Sequence, residues 1–113
     1  MSRSIQTTEL TSIIASLKDP KTQSKADIIK ELLLATQQGK VHYIPLSITE
    51  LLSALSPILE SPKINDTIES LHLINELANK FPKESNENMN IIIKNLVKLM
   101  AQEHVMNLLL EQN

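Results

Sequence analysis

The chain repeats itself at long range. Thr8-Glu9-Leu10 returns as Thr49-Glu50-Leu51, an offset of 41 residues. Asp19-Pro20-Lys21 returns as Ser61-Pro62-Lys63, and the capping pattern Ser24-x-x-Asp27 returns as Asp66-x-x-Glu69, both at an offset of 42. A period of roughly 40–47 residues with two helices per period is that of HEAT and armadillo repeats. In such arrays each unit buries its apolar face against the next one. The expected fold class is therefore all-α: an α-solenoid of antiparallel helix pairs, HEAT/armadillo-like, with two full units and a partial third. Arrays of this kind ordinarily make no bonds and break none. They present a surface.

The pattern inside each period agrees with paired helices. Leu10, Ile13, Ile14 and Leu17 recur at i, i+3, i+4 and i+7, one face of a helix over about residues 8–17. Asp19-Pro20 ends it, because the residue before proline is pushed out of the α region. Ser24 is placed to cap a second helix, with Asp27 facing the positive end of its dipole. Its inward face is Ile28, Ile29, Leu32, Leu33 and Thr36, and Gly39 stands where a left-handed residue is wanted. Residues 40–46 link the units. Val41, Tyr43 and Ile44 tolerate extended backbone, but a lone strand has no evident partner, so an ordered linker tucked against the helices is expected.

A capping box, Ser47 with Glu50, predicts the start of the third helix. Its stripe is Ile48, Leu51, Leu52, Leu55, Ile58 and Leu59. Pro57 removes the bond to the Ser53 carbonyl and predicts a kink before Ser61-Pro62 ends the helix. The fourth helix is expected from Asp66, with Ile68, Leu71, Ile74, Leu77, Ala78 and Phe81 inward, and Pro82 closes it.

One further step of 41 carries Leu51, Leu52, Leu55, Ile58 and Leu59 onto Ile92, Ile93, Leu96, Leu99 and Met100, all apolar, and takes Asp66 to Asn107. The units therefore read as 8–39, 47–81 and 88–113. The last turns near residues 102–106, or else runs as one continuous helix over 87–113. Solenoids normally end on a unit with a polar outer face. Here Ile91, Val97, Met106, Leu109 and Leu110 mark an uncapped apolar end, expected to meet further repeats of a longer chain or a second copy.

Composition narrows the function classes. There are no cysteines, so neither disulfides nor thiolate metal sites can form. A single glycine, Gly39, excludes phosphate-cradling Gly-rich loops. Net charge is −2 and the only aromatics are Tyr43 and Phe81, which argues against nucleic-acid binding by stacking. No apolar run reaches the roughly 18 residues of a membrane span. The first residues lack the basic segment and apolar core of a signal peptide. Cytoplasm, including the cytoskeleton, or nucleus is the expected compartment.

No catalytic constellation emerges. His42, His72 and His104 are isolated, with no i, i+4 pair to hold zinc. His72 shares a helical face with Glu69 and Glu76. That is the arrangement of a carboxylate-oriented base, and equally of a solvated face with weak pairs, which is the expected one. No serine sits in a nucleophile elbow, and the carboxylates are spread at surface spacing. The expected protein is not an enzyme and uses no cofactor, metal or small-molecule substrate. A small helical enzyme or ligand-binding bundle is the alternative from another class; it would need a polar pocket of convergent titratable groups. Met89, Met100 and Met106 read as core filling or as a soft groove.

The turns within the helix pairs are the best candidate surface. They are Lys18–Gln23, Glu60–Asn65 and Gln102–Met106. In a stacked array they line up along one edge, and loops carry function disproportionately. Lys18, Lys21, Lys25 and Lys63 then form a basic ridge for an acidic protein partner, against the simpler reading of solvated loops.

Residues 47–61, Ser47-Ile-Thr-Glu-Leu-Leu-Ser-Ala-Leu-Ser-Pro-Ile-Leu-Glu-Ser, followed by Asp66 to Phe81, resemble a HEAT-like unit of the TOG type. Across about residues 8–100 the helix pattern and prolines are most similar to the N-terminal region of CLASP-type microtubule-stabilising proteins. The resemblance implies a helical-repeat fold whose intra-pair turns bind tubulin. A typical TOG domain carries an aromatic residue in its first such turn, whereas Lys18-Asp19-Pro20-Lys21-Thr22-Gln23 has none. The expected function is thus a protein-interaction module, either a tubulin-associated segment of a cytoskeletal regulator or a HEAT-type scaffold or assembly-chaperone segment unrelated to microtubules.

Overall fold

The structure, a computed structural model, describes residues 4–88 together with Asn90 and Ile93. Among the described residues the named α-helices are, in order, α1 Thr7–Lys18, α2 Lys25–Gln37, α3 Pro45–Ile58, α4 Ile64–Lys80 and α5 Pro82–Glu87. No strand occurs among the described residues, and no helix there is long and apolar enough to cross a membrane.

The first two helices form where the apolar spacing places them. Leu10, Ile14 and Leu17 are buried on α1, and Ile29, Leu32, Ala35 and Thr36 on α2. Gly39 ends α2 at φ +70°. Its N–H donates to the Thr36 carbonyl at 3.0 Å and the Lys40 N–H to the Ala35 carbonyl at 2.9 Å, the pair of bonds that closes a Schellman motif.

The linker finds a partner that periodicity could not supply. Ile5 N–H donates to the Lys40 carbonyl at 2.7 Å, and His42 N–H donates to the Ile5 carbonyl at 2.9 Å. One parallel bridge, Ile5 with Val41, thus pins the segment before α1 beside the linker. Ile5 joins the core as a result, only 4% exposed.

Helix α3 begins earlier than its apparent capping box. Pro45 occupies the first helical position, where its missing N–H costs nothing and its fixed φ suits the helix. Ser47 is not the N-cap; it sits in the first turn and reaches back. Its Oγ accepts the Ile44 N–H at 2.9 Å and donates to the Ile44 carbonyl at 2.8 Å. All six residues of the expected stripe, Ile48, Leu51, Leu52, Leu55, Ile58 and Leu59, are buried. Pro57 stands one residue before the helix end, so it terminates the helix rather than kinking its middle. Bonds from Leu59, Glu60 and Ser61 N–H to the carbonyls of Ser56, Pro57 and Ile58 tighten the exit into 3₁₀-type turns.

Helix α4 starts at Ile64, two residues before Asp66, with Lys63 as its N-cap. Its buried face is Asp66, Thr67, Ser70, Leu73, Ile74 and Leu77. That face is rotated from the expected one: Ile68 is exposed, Leu71 and Ala78 are half-buried, and Leu73 is fully enclosed. Three polar residues head the true face, so counting apolar positions misplaces it. Pro82 ends α4 as expected and opens α5 at once, with Phe81 as the single residue between them.

α2 packs most extensively on α4, and α1 packs on α3. α3 contacts α4, α5 contacts both, and α1 meets α2 over a small area. One continuous core joins α1 to α4, with Leu10, Ile29, Leu51, Leu55, Leu73 and Leu77 sealed from solvent. Each such side chain contributes about 1.5–3 kcal/mol on burial. The expected third unit, with its bend near residues 102–106, lies outside the described residues.

Candidate functional site

The two intra-pair turns are folded by their own short-range chemistry. In the first, Asp19 Oδ1 accepts the Lys21 N–H at 2.9 Å and the Asp19 carbonyl accepts the Thr22 N–H at 3.1 Å. This is the self-bonding turn that aspartate favours. In the second, Ser61 Oγ accepts the Lys63 N–H at 3.1 Å, and the Ser61 carbonyl accepts the Thr67 hydroxyl at 3.4 Å.

Two long-range bonds then lock the turns together. Asp66 Oδ1 accepts the Ala26 N–H, the second amide of α2, at 3.1 Å. Lys63 Nζ donates to the Gln23 carbonyl at 3.3 Å. Ser24 is the N-cap of α2 by position, yet its side chain makes no capping bond. The carboxylate that satisfies this helix start comes instead from α4, across the interface between the pairs. A negative charge there also complements the helix dipole.

A groove of about 550 Å³ runs between the turns. Leu17, Ala54 and Ile58 form its floor; Pro20, Pro57 and Pro62 line its walls; Lys18, Lys25 and Lys63 stand around it. The structure therefore brings three of the four expected lysines onto one groove. Lys21 is exposed on the same turn but does not line the groove. The apolar C-terminal positions Ile91, Val97, Met106, Leu109 and Leu110, and the third turn, lie outside the described residues.

The histidines described are dispersed. His42 is exposed on the linker. His72 Nδ1 is 3.9 Å from Glu69, with the His72 side chain 59% exposed, which is a weak solvated pair. Among the described residues no three His, Cys, Asp or Glu side chains cluster as a metal site would require.

Periodicity did not reveal a second polar cluster, at the far ends of α2 and α4. Thr36 Oγ1 donates to the Leu32 carbonyl at 2.7 Å and is 2.8 Å from the Tyr43 hydroxyl. The Tyr43 ring meets Phe81 edge-on at 5.2 Å. The Lys80 ammonium donates to the Thr36 carbonyl, placing a cation at the negative end of α2. Burial pushes the Tyr43 phenol up to about 12, with the Thr36 bond opposing the shift. These groups fasten the linker to both helices. Comparison with protein-family models, with curated proteins and with solved structures finds no match for this chain.

Proposed function

We propose that this chain is a non-catalytic protein-interaction module, a HEAT-type stack of helix pairs that presents lysine-bearing turns to an acidic surface of a partner protein. One observation carries the reading: Lys18 and Lys25 flank one turn, Lys63 belongs to another about 40 residues away, and all three line one groove. The turns are cross-linked by Asp66 and Lys63, so the backbone that carries the three lysines is held before any partner arrives. Pre-ordering of this kind lowers the entropy lost on binding. Stacking of α1 on α3 and of α2 on α4 supports the solenoid reading, since corresponding helices of successive units meet.

Tubulin is the first partner to test, because the TOG resemblance assigns it to these turns. Co-sedimentation with microtubules and gel filtration with tubulin, for wild type and for Lys18→Glu, Lys25→Glu and Lys63→Glu, make the test. Binding that is lost on charge reversal and weakens with salt is expected. No binding by wild type removes tubulin; binding indifferent to the lysine charges removes the ridge. The first turn carries no aromatic residue, and this favours a second reading, in which the ridge serves a scaffold or assembly role on another acidic protein. The C-terminal apolar residues complete the proposal as a contact to further repeats or to a second copy, and light scattering over a dilution series reads the second copy directly.

A further inference from the structure

We infer that the groove between the turns takes an aromatic side chain from an acidic segment of the partner. The inference rests on the reading of these turns as a protein-binding edge and specifies what that edge recognises. The first argument is charge. Lys18, Lys25 and Lys63 line the groove against one acid, Asp66, whose carboxylate is buried and already accepts the Ala26 N–H. Lys63 donates to a neutral carbonyl, so its charge stays uncompensated by that bond. A segment rich in Asp and Glu is the complementary occupant.

The second argument is the wall. Pro20, Pro57 and Pro62, all exposed, line this one groove, and they are three of the five prolines in the chain. Proline rings are flat, apolar and without side-chain rotamers to lose, so they hold a planar ring at little entropic cost. Lysine ammonium groups beside such walls add attraction to a ring face that they do not offer an aliphatic side chain. Tyrosine and tryptophan are also the commonest anchors of protein interfaces. The chain brings no ring of its own to the site: Tyr43 and Phe81 pack against each other at the other cluster. A groove of about 550 Å³ is large enough for one ring with its flanking backbone.

The chain contains no tryptophan, so fluorescence from a tryptophan peptide reports the peptide alone. The full chain is titrated into an acidic peptide with a central tryptophan, and peptides with leucine, alanine or lysine-flanked tryptophan compete. The acidic tryptophan peptide is expected to bind roughly tenfold more tightly than its leucine and alanine counterparts. Lys18→Glu and Lys63→Glu should abolish binding, and Pro20→Ala should narrow the preference for the ring while circular dichroism confirms an intact fold. Equal competition by tryptophan, leucine and alanine, with the charge dependence retained, overturns the aromatic anchor and leaves the basic ridge standing. Binding that ignores the lysine charges overturns both, and failure of the tryptophan peptide to bind overturns the anchor.

Discussion

Asp66→Ala isolates one of the bonds that join α4 to α2. Asp66 is 6% exposed and its Oδ1 accepts the Ala26 N–H at 3.1 Å. Hydrogen bonds to charged groups contribute about 1.5–3 kcal/mol. A carboxylate at a helix N-terminus adds roughly 0.3–1 kcal/mol. Releasing a carboxylate from a partly buried site offsets some of this. The net loss is about 2 kcal/mol, or roughly 8–10 °C in Tm for a domain of this size. Asp66→Asn keeps an acceptor without the charge and should lose about half as much. Ser24→Ala is the decisive control, because Ser24 holds the N-cap position but makes no capping bond. Its cost should stay below about 0.5 kcal/mol, against about 1 kcal/mol for an ordinary cap. Urea unfolding followed by circular dichroism measures all three, with unchanged m-values showing that stability alone has moved. A larger loss for Ser24→Ala than for Asp66→Ala would refute the cross-pair cap.

Tyr43 is the only tyrosine, so phenolate absorbance should titrate as one group near pH 12 rather than 10. The folded state holds this proton more tightly than the unfolded state, so stability contributed by Tyr43 is intact below about pH 10 and is lost as pH rises toward 12; wild type should fall about 2–3 kcal/mol further than Tyr43→Phe across that window. Gly39→Ala should cost about 1 kcal/mol in chemical denaturation: φ is +70° and no atom lies within 4 Å of an added Cβ, so the penalty is conformational. Ser70 is fully enclosed and its hydroxyl has no partner among the described residues, so Ser70→Ala should leave Tm unchanged or raise stability by about 1 kcal/mol; a clear loss would reveal a bond to that hydroxyl.

Much of the helical framework is legible in the residues themselves. The six-residue stripe of α3 and its exit is buried entire because its apolar positions recur at helical spacing on one face, while Leu46, off that face, stays 62% exposed. Gly39 closes α2 because only glycine enters the left-handed region without strain. α4 misleads for the opposite reason. Ile68 and Leu71 advertise one face, while the face that packs opens with Asp66, Thr67 and Ser70. Those polar residues are buried by neighbours from other helices, which periodicity within one helix cannot register. The α3 start is misjudged by a similar margin, since Ser47 caps backward from inside the first turn.

The sequence by itself determines where helices can run and where they must stop, because propensity, proline geometry and left-handed glycine act over a few residues. It also places lysines on the turns. Tertiary structure alone decides that Lys18, Lys25 and Lys63 share one groove, that Ile5 pairs with the linker, and that the start of α2 is capped by Asp66 rather than Ser24. The groove and the Asp66 cap depend on how α1 sits on α3 and α2 on α4. A hydrogen bond forms only within about 3 Å, so a partner some 40 residues away is chosen by the packing of helices and not by the spacing of letters.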